Sequence, residues 1–345
     1  MRLRTVLATA TAALAAATCL TAAGPASAHA NSGNRHACSP SVSLDRFSDA
    51  LDKTTYQGTF VGNFSALAVD GRDGSLAALS DRSALLKLES ANTLTPEAVV
   101  PLADESGAAL DSEGLVIDRD RTRLISSETE PSIRRYSRDG RILDRLPVPD
   151  DLKVAPAGRA VSNGTFEGLT LLPGGRTLLA SMEYALAGDS GDIVRFQTWN
   201  RTPHGRFTLG PQYAYRVDTG LGVPEVQATP DGRLLVLERG FTAGVGNTVR
   251  LYVADPRRAT DTSHVDKLTG QDNITIINKT LLTDIVSCPS LGATAKQPQP
   301  NPLLDNIEGM AITGRAHNRL RVVLVSDDNQ NAVQTTRFYY LRVRI

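Results

Sequence analysis

One hairpin design recurs five times along this chain, and it limits the folds open to it. The copies are FSALAVDGRDGSLAALSD (Phe64 to Asp81), SEGLVIDRDRTRLISSE (Ser112 to Glu128), FEGLTLLPGGRTLLASME (Phe166 to Glu183), PEVQATPDGRLLVLE (Pro224 to Glu238) and IEGMAITGRAHNRLRVVLVSD (Ile307 to Asp327). Each opens with an acidic residue beside a small one and runs on as an apolar strand. Each then turns through Gly, Asp, Asn or Arg and returns as an apolar strand ending in an acid. In the first copy Ala66 stands where the opening acid is expected. The corresponding positions 66, 113, 167, 225 and 308 are spaced by 47, 54, 58 and 83 residues. Repeats of about 40 to 50 residues built from short strands indicate a β-propeller, because one four-stranded sheet cannot bury both its faces until it stacks on its neighbours.

Convincing helical periodicity is nearly absent, which predicts an all-β fold in a single closed domain. Ile133 to Tyr136, Ile142 to Leu146, Ile193 to Trp199, Val249 to Ala254 and Ile274 to Leu282 read as outer strands. The long final gap leaves room for a degenerate blade or for an excursion through the Pro-rich stretch Pro289 to Pro302, and six blades are expected in preference to five. Phe338 to Val343 alternates as a strand, and Thr54 to Val61 is expected to pair in the same blade and close the ring.

The N-terminus reads as a secretory signal. Arg2 and Arg4 precede the uncharged apolar run Val6 to Ala23, and Ala26-Ser27-Ala28 offers small residues for cleavage. The expected organisation is a signal peptide over 1–28, a segment 29–57 carrying Cys38, and a propeller over 58–345; cleavage after Ala30 is a close second. An Ala/Thr-rich run is weakly hydrophobic for a membrane anchor, and Thr18 and Ala16 make a poor lipid-attachment box before Cys19. The mature protein is therefore expected to be secreted, soluble and monomeric. Export leaves Cys38 and Cys288, and an even count outside the cell predicts a disulfide. It closes a loop of 250 residues, for which chain entropy gives roughly 5 kcal/mol at most. Lys+Arg and Asp+Glu number 37 each and aromatics are 5%, so neither a basic surface nor a base-stacking one is available for nucleic acid. The Ala- and Arg-rich usage is that of high-GC bacteria.

The acids carry the functional signal. Two residues face each other in a hairpin when they are equidistant from the turn centre. That arithmetic sets Glu225 opposite Glu238, Glu113 opposite Glu128, Glu308 opposite Asp327, and Glu167 opposite Glu183 or its neighbour. If the first strand of each hairpin lines the axis, these pairs and Asp81 gather at one mouth of the central channel. Like charges facing each other destabilise a strand pair, so compensation is required. A hard cation such as Ca²⁺, which takes 6–8 oxygen ligands, is one source. Arg82 and Arg239, which follow Asp81 and Glu238, are a second. The third reading sends the carboxyls to different faces.

The segments FEGLTLLPGGRTLLASMEYAL, PDGRLLVLERGFTAG, VRLYVAD, NKTLLTDI and DNIEGMAITG followed by LVSDDN resemble an exported phytase-like family labelled "esterase-like activity of phytase". The resemblance runs from about Gly58 to the C-terminus. Pro224-Glu225-Val226 and Ser65-Ala66-Leu67 depart from its usual pattern. It implies a β-propeller and a phosphoesterase or esterase activity carried by Glu and Asp. Other hydrolase signatures are missing: there is no G-x-S-x-G elbow and no phosphate-cradling G-x-x-x-x-G-K-[ST] loop. The leading expectation is Ca²⁺-dependent hydrolysis of a small phosphate ester. Glu113, Glu128, Glu167, Glu183, Glu225, Glu238, Glu308, Asp327 and Asp81 are the candidate metal ligands. Glu167 or Glu308 would orient or deprotonate water, and Arg82 and Arg239 would clamp phosphate. A non-catalytic propeller binding a ligand or protein is the alternative from another class, and a metal-dependent lactonase-type hydrolase is a weaker one.

Overall fold

Each of the five hairpins recruits further antiparallel strands into a four-stranded sheet, and the five sheets close into a ring. The structure, a computed structural model, describes residues 35–271 and 273–345, so the expected signal segment lies outside the described residues. β1 (Val42–Ser48) and the small hairpin β2 (Thr54–Tyr56) and β3 (Thr59–Val61) come first. Blade one is β4 (Phe64–Val69), β5 (Leu76–Ser80), β6 (Ala84–Leu88) and β7 (Pro96–Pro101). Blade two is β8 (Ser112–Ile117), β9 (Arg123–Ser127), β10 (Ser132–Tyr136) and β11 (Ile142–Arg145). Blade three is β12 (Phe166–Leu171), β13 (Thr177–Met182), β14 (Ile193–Arg201) and β15 (Phe207–Arg216). Blade four is β16 (Gly222–Ala228), β17 (Leu234–Thr242), β18 (Gly246–Asp255) and β19 (Asn278–Asp284). Blade five is β20 (Asn306–Ala316), β21 (Arg319–Asp327), β22 (Phe338–Val343) and, as its outer strand, β1. The first strands touch in the cyclic order β4, β8, β12, β16, β20 and back to β4, so they line the axis. Among the described residues no helix is long and apolar enough to cross a membrane.

The count is five blades, not the six expected. The gap between the fourth and fifth hairpins completes blade four and then makes the long excursion. Prolines at 289, 298, 300 and 302 lack the N–H that a strand ladder needs, and the excursion instead packs Ala293, Leu303 and Leu304 into the core shared by blades four and five. The closing strand also differs from expectation. Val42–Ser48, not Thr54 to Val61, pairs with β22, with Leu44 opposite Leu341. Val42 and Leu44 bury their side chains beside Tyr339 and Leu341, whereas Thr55 pairs with Phe60 in a hairpin of its own.

Apolar faces of adjacent blades form the core. Phe166, Leu178, Ala180 and Trp199 of blade three meet Val116, Leu124 and Ile133 of blade two. The Trp199 indole donates to the Pro147 carbonyl at 2.7 Å, which satisfies its one buried donor. Two devices hold the chain ends. The Cys38–Cys288 disulfide joins the N-terminal segment to the start of the excursion, as expected. Arg337, 1% exposed, grips Asp49 with Nε and Nη2 at 2.7 and 2.8 Å and donates to the carbonyls of Thr294, Pro302 and Leu303. One guanidinium thus ties the N-terminal segment, the excursion and the last blade together.

The inner strands approach each other closely near one end of the axis. A Cβ on Gly114 would lie 2.4 Å from the Glu167 carbonyl oxygen. One on Gly168 would lie 2.5 Å from the Val226 nitrogen and 2.8 Å from the Glu225 Cα, and one on Gly309 would lie 3.1 Å from the Ala66 Cα. Backbone cannot swing aside as a flexible side chain can, so the contacts at Gly114 and Gly168 require glycine. Gly168→Ala should destabilise the fold by about 1–3 kcal/mol through overpacking. Gly71→Ala, at a site with nothing within 4 Å, serves as the control. Urea denaturation checks this: equal midpoints for the two variants would show that the strands can part.

Candidate functional site

The close approach is accompanied by a repeated irregularity. In every inner hairpin the first strand carries one extra residue at the same level, a β-bulge between Phe64 and Ala66, Ser112 and Leu115, Phe166 and Leu169, Gly222 and Glu225, and Ile307 and Gly309. A bulge re-aims the side chain it carries. Reading the registers outward from the pairs Leu67–Ala78, Leu115–Ile125, Leu169–Ala180, Val226–Val236 and Met310–Leu324 gives two rings of equivalent positions. The bulge ring is Ser65, Glu113, Glu167, Pro224 and Glu308. The strand-end ring is Asp81, Glu128, Glu183, Arg239 and Asp327.

All of these except Pro224 line a cavity of about 550 Å³ at one end of the axis, together with Asp111 and Arg82. Asn163, Tyr184, Phe241, Asn247, Gln297 and Asn306 also face it. The structure therefore brings together Asp81, Glu113, Glu128, Glu167, Glu183, Glu308, Asp327, Arg82 and Arg239 of the residues read from the sequence. They converge without facing each other directly, because the bulge offsets the hairpin: Ser112 pairs with Ser127, and Glu128 donates its N–H to Asp111.

Glu225 and Glu238 do not join this set, and the reason is a displacement of one residue at each end of the hairpin. Glu225 stands at the level of Gly114, Gly168 and Gly309. Its buried carboxyl accepts from the Val226 N–H at 2.9 Å. Burial holds that carboxyl well above the usual range, although the N–H groups of Val226, Leu169 and Met310, from three blades, pull the other way. Glu238 stands one position before Arg239, so its side chain points into the interface with blade three. There it accepts from Tyr215 Oη at 2.6 Å, Lys279 Nζ at 2.6 Å and the Asp218 N–H at 2.9 Å. The same displacement puts Arg239 where the other blades have an acid. Ser65, not Ala66, is the counterpart of the opening acid in blade one.

Arg pairing, one of the three compensations expected from sequence, has a counterpart here. Arg239 Nη2 lies 3.1 Å from both Glu183 Oε1 and Glu308 Oε1. Burial works against its charge, but Glu308, Glu183 and Glu167 more than offset this and hold the guanidinium firmly protonated. Arg82 is the weaker partner: it sits 3.5 Å from Asp81 with a side chain 61% exposed. Hydrogen bonds orient the acids. The Thr165 N–H donates to Glu128 Oε1 at 2.6 Å, Asn306 Nδ2 to Glu308 Oε1 at 2.9 Å, and the Asn329 N–H to Asp327 Oδ1 at 2.8 Å.

Among the described residues, Glu113, Glu128 and Glu167 make no ion pair. Burial, reinforced by neighbouring carboxylates, pushes Glu113 and Glu167 well above the carboxylate range. Glu128 is pushed up to about 7 by burial, with Glu183 and Asp111 adding to it. Asp81 rises to about 7 by burial and by Asp327, and Asp327 to about 6 chiefly by burial. Glu128, Glu167 and Glu183 offer oxygens that all lie within 4.8 Å of one another, and Asp111, Glu113 and Glu128 form a second such set. A hard cation bound at 2.3–2.6 Å by carboxylates fits this spacing and this all-oxygen chemistry. Asp111 was not among the residues singled out from the sequence; its signal was an acid two positions before Glu113.

A family comparison agrees with the resemblance read from the sequence. A family model described as Phytase-like, "Esterase-like activity of phytase", matches residues 59–330. A curated relative from Arthroderma benhamiae, called an uncharacterized secreted protein, is 31% identical over a region covering 39% of this chain and 35% of that protein. The chain thus spans about a third of the length of the curated relative it matches. Two solved structures overlay on it. The Neurospora crassa Pan2 WD40 domain gives a TM-score of 0.38 at 8% identity, covering 82% of this chain and 89% of that one. The RRP9 WD40 repeats give 0.39 at 11%, covering 88% and 98%.

The raised acids set a pH dependence. A carboxyl whose folded-state pKa lies above its unfolded value binds more protons when folded, so stability falls as pH rises from the unfolded pKa through the folded one. For Asp81, Asp327 and Glu128 that window runs from near 4 up to about 7. With a chelator present, the melting temperature should fall between pH 5 and pH 8. Millimolar Ca²⁺ should abolish most of that fall, because a ligand for the ionised native state raises its stability. A melt insensitive to Ca²⁺ at pH 8 would leave Arg239 as the compensation that matters.

Proposed function

The chain belongs to the Phytase-like, "esterase-like activity of phytase", family, and from that premise we propose that it is an exported, Ca²⁺-dependent hydrolase of phosphate esters acting in the acidic cavity. The observation that carries this reading is the buried set Glu128, Glu167 and Glu183, with oxygens within 4.8 Å of one another, beside Arg239. Carboxylates gathered in that way are costly unless they hold a cation, and Arg239 supplies a fixed positive charge next to them. The export proposal rests on the apolar N-terminal run, the disulfide and the description of the Arthroderma benhamiae relative as secreted.

In this reading Glu128, Glu167 and Glu183, with Asp111 and Glu113, hold the cation. Ca²⁺ would lend positive charge that binds phosphoryl oxygens and lowers the pKa of a water. Glu308, held by Asn306 and flanked by Arg239, lies outside that ligand set and is the carboxyl able to orient that water and take its proton. Arg239 is placed by Glu183 and Glu308, which fixes the direction of its remaining N–H groups. Arg82 at the open mouth meets the substrate on entry.

The test is a screen of the mature protein against phosphomonoesters, phosphodiesters and carboxyl esters, with and without Ca²⁺. Phosphate-ester turnover that needs Ca²⁺ is expected. Glu308→Gln, outside the ligand set, should lower kcat/KM by about 10²-fold or more while leaving Ca²⁺ affinity near that of the parent. Turnover of carboxyl esters alone would assign a different ester chemistry to the cavity. No turnover at any Ca²⁺ concentration would leave a non-catalytic, ligand-binding propeller.

A further inference from the structure

Blade four is the sector of the ring that presents no carboxyl to the cavity. Its two ring positions are Pro224 and Arg239, and its other cavity residues are Phe241 and Asn247. Among the described residues, two donors on this wall have no acceptor. Arg239 Nε and Asn247 Nδ2 are buried and unpaired, and Asn247 is 2% exposed. Phe241 pairs with Asn247 and Arg239 with Val249 across β17 and β18, so Arg239 and Asn247 are diagonal neighbours on one face.

The wall is also held rigidly. The Asn247 N–H donates to Gln299 Oε1 at 2.8 Å. At Gly246 (φ +113°) a Cβ would lie 2.4 Å from that same oxygen and 2.7 Å from the Pro298 carbonyl oxygen. The Pro-rich excursion thus presses on the start of β18 and fixes the backbone that carries Asn247. An unpaired buried donor is costly to maintain. Two of them on one face of the β17–β18 pair, one on a guanidinium, in a sector that among the described residues brings no carboxyl to the cavity, fit an anionic oxygen.

We infer that Arg239 Nε and Asn247 Nδ2 form an oxyanion subsite that takes a non-bridging oxygen of a phosphoryl group, with the excursion 289–302 as the element that positions it. This deepens the proposed function and rests on it for the identity of the anion. The subsite makes Asn247 a specificity residue: it selects esters with a free oxygen to offer beside the cation. Phe241 and Tyr184, both exposed at the mouth, adjoin the place where the organic group of such an ester would lie.

The probe is phenylphosphonate, a phosphomonoester analogue that cannot be hydrolysed, titrated calorimetrically into the mature protein at fixed Ca²⁺. Asn247→Leu, close in volume but without donors, should weaken binding by about tenfold or more. Asn247→Asp should weaken it further by turning a donor into an anion. Ca²⁺ affinity of the Leu variant should match the parent and its melting temperature should be equal or higher, since a buried unpaired donor is removed; a purely structural role for Asn247 would lower the melt. If Asn247→Leu fails to fold, Asn247→Ser replaces it, with the same expected loss. Equal phosphonate affinity in parent and variants overturns the subsite, as does a parent that binds no phosphonate. The two ideas separate cleanly. Ester turnover with phosphonate affinity unmoved by the variants keeps the function and removes the subsite. No turnover, with phosphonate binding lost on Asn247→Leu, keeps the subsite and removes the function.

Discussion

Five strands converge on one axis, and near one end of it there is little room for side chains between them. Gly114 and Gly168 meet neighbouring backbone at distances no Cβ tolerates, Gly309 lies tightly against Ala66, and Ala66 fills the fourth place. Glu225 takes the fifth, where its carboxyl is surrounded by N–H groups from blades three, four and five. This crowding makes the bulge useful. The extra residue turns the chain so that the side chain just before the crowded level points along the axis into the mouth. Crowding and bulge together raise a ring of carboxyls above a narrow waist.

The electrostatics follow from that geometry. Burial alone raises carboxyl pKa values, and each neighbouring carboxylate adds to the effect. The protein answers part of this strain with Arg239, whose charge reaches Glu183 and Glu308 but leaves Glu113, Glu128 and Glu167 without an ion pair. Blades two and three therefore form a carboxyl-rich half, and blade four a donor-bearing one. Under the proposed function, the first would hold the cation and the second would meet its anion.

Ring closure lies far from this chemistry along the chain but supports it. The disulfide from Cys38 to Cys288 and the Arg337 clamp anchor the excursion at Cys288, Thr294, Pro302 and Leu303. Between those anchors Gln297 reaches the cavity wall and Gln299 fixes the backbone of Asn247. A segment without regular secondary structure, which in sequence reads only as Pro-rich, thereby becomes part of the site's wall.

The sequence by itself determined the all-β propeller, the five inner hairpins, the disulfide and seven of the nine acids proposed for the rim. These are legible because strand alternation, turn residues and a repeated motif are local signals. Tertiary structure decided the rest. Five blades close where six were expected, because a strand ladder needs N–H donors that the Pro-rich gap lacks. Val42–Ser48 closes the ring, because its alternate side chains match a core that exists only once blade five is built. Glu225 and Glu238 leave the rim, because a shift of one residue in a pleated strand sends a side chain to the opposite face. Composition does not record such a shift. For the same reason Arg239 enters the ring, and Asn247 becomes visible only when the excursion is folded against it.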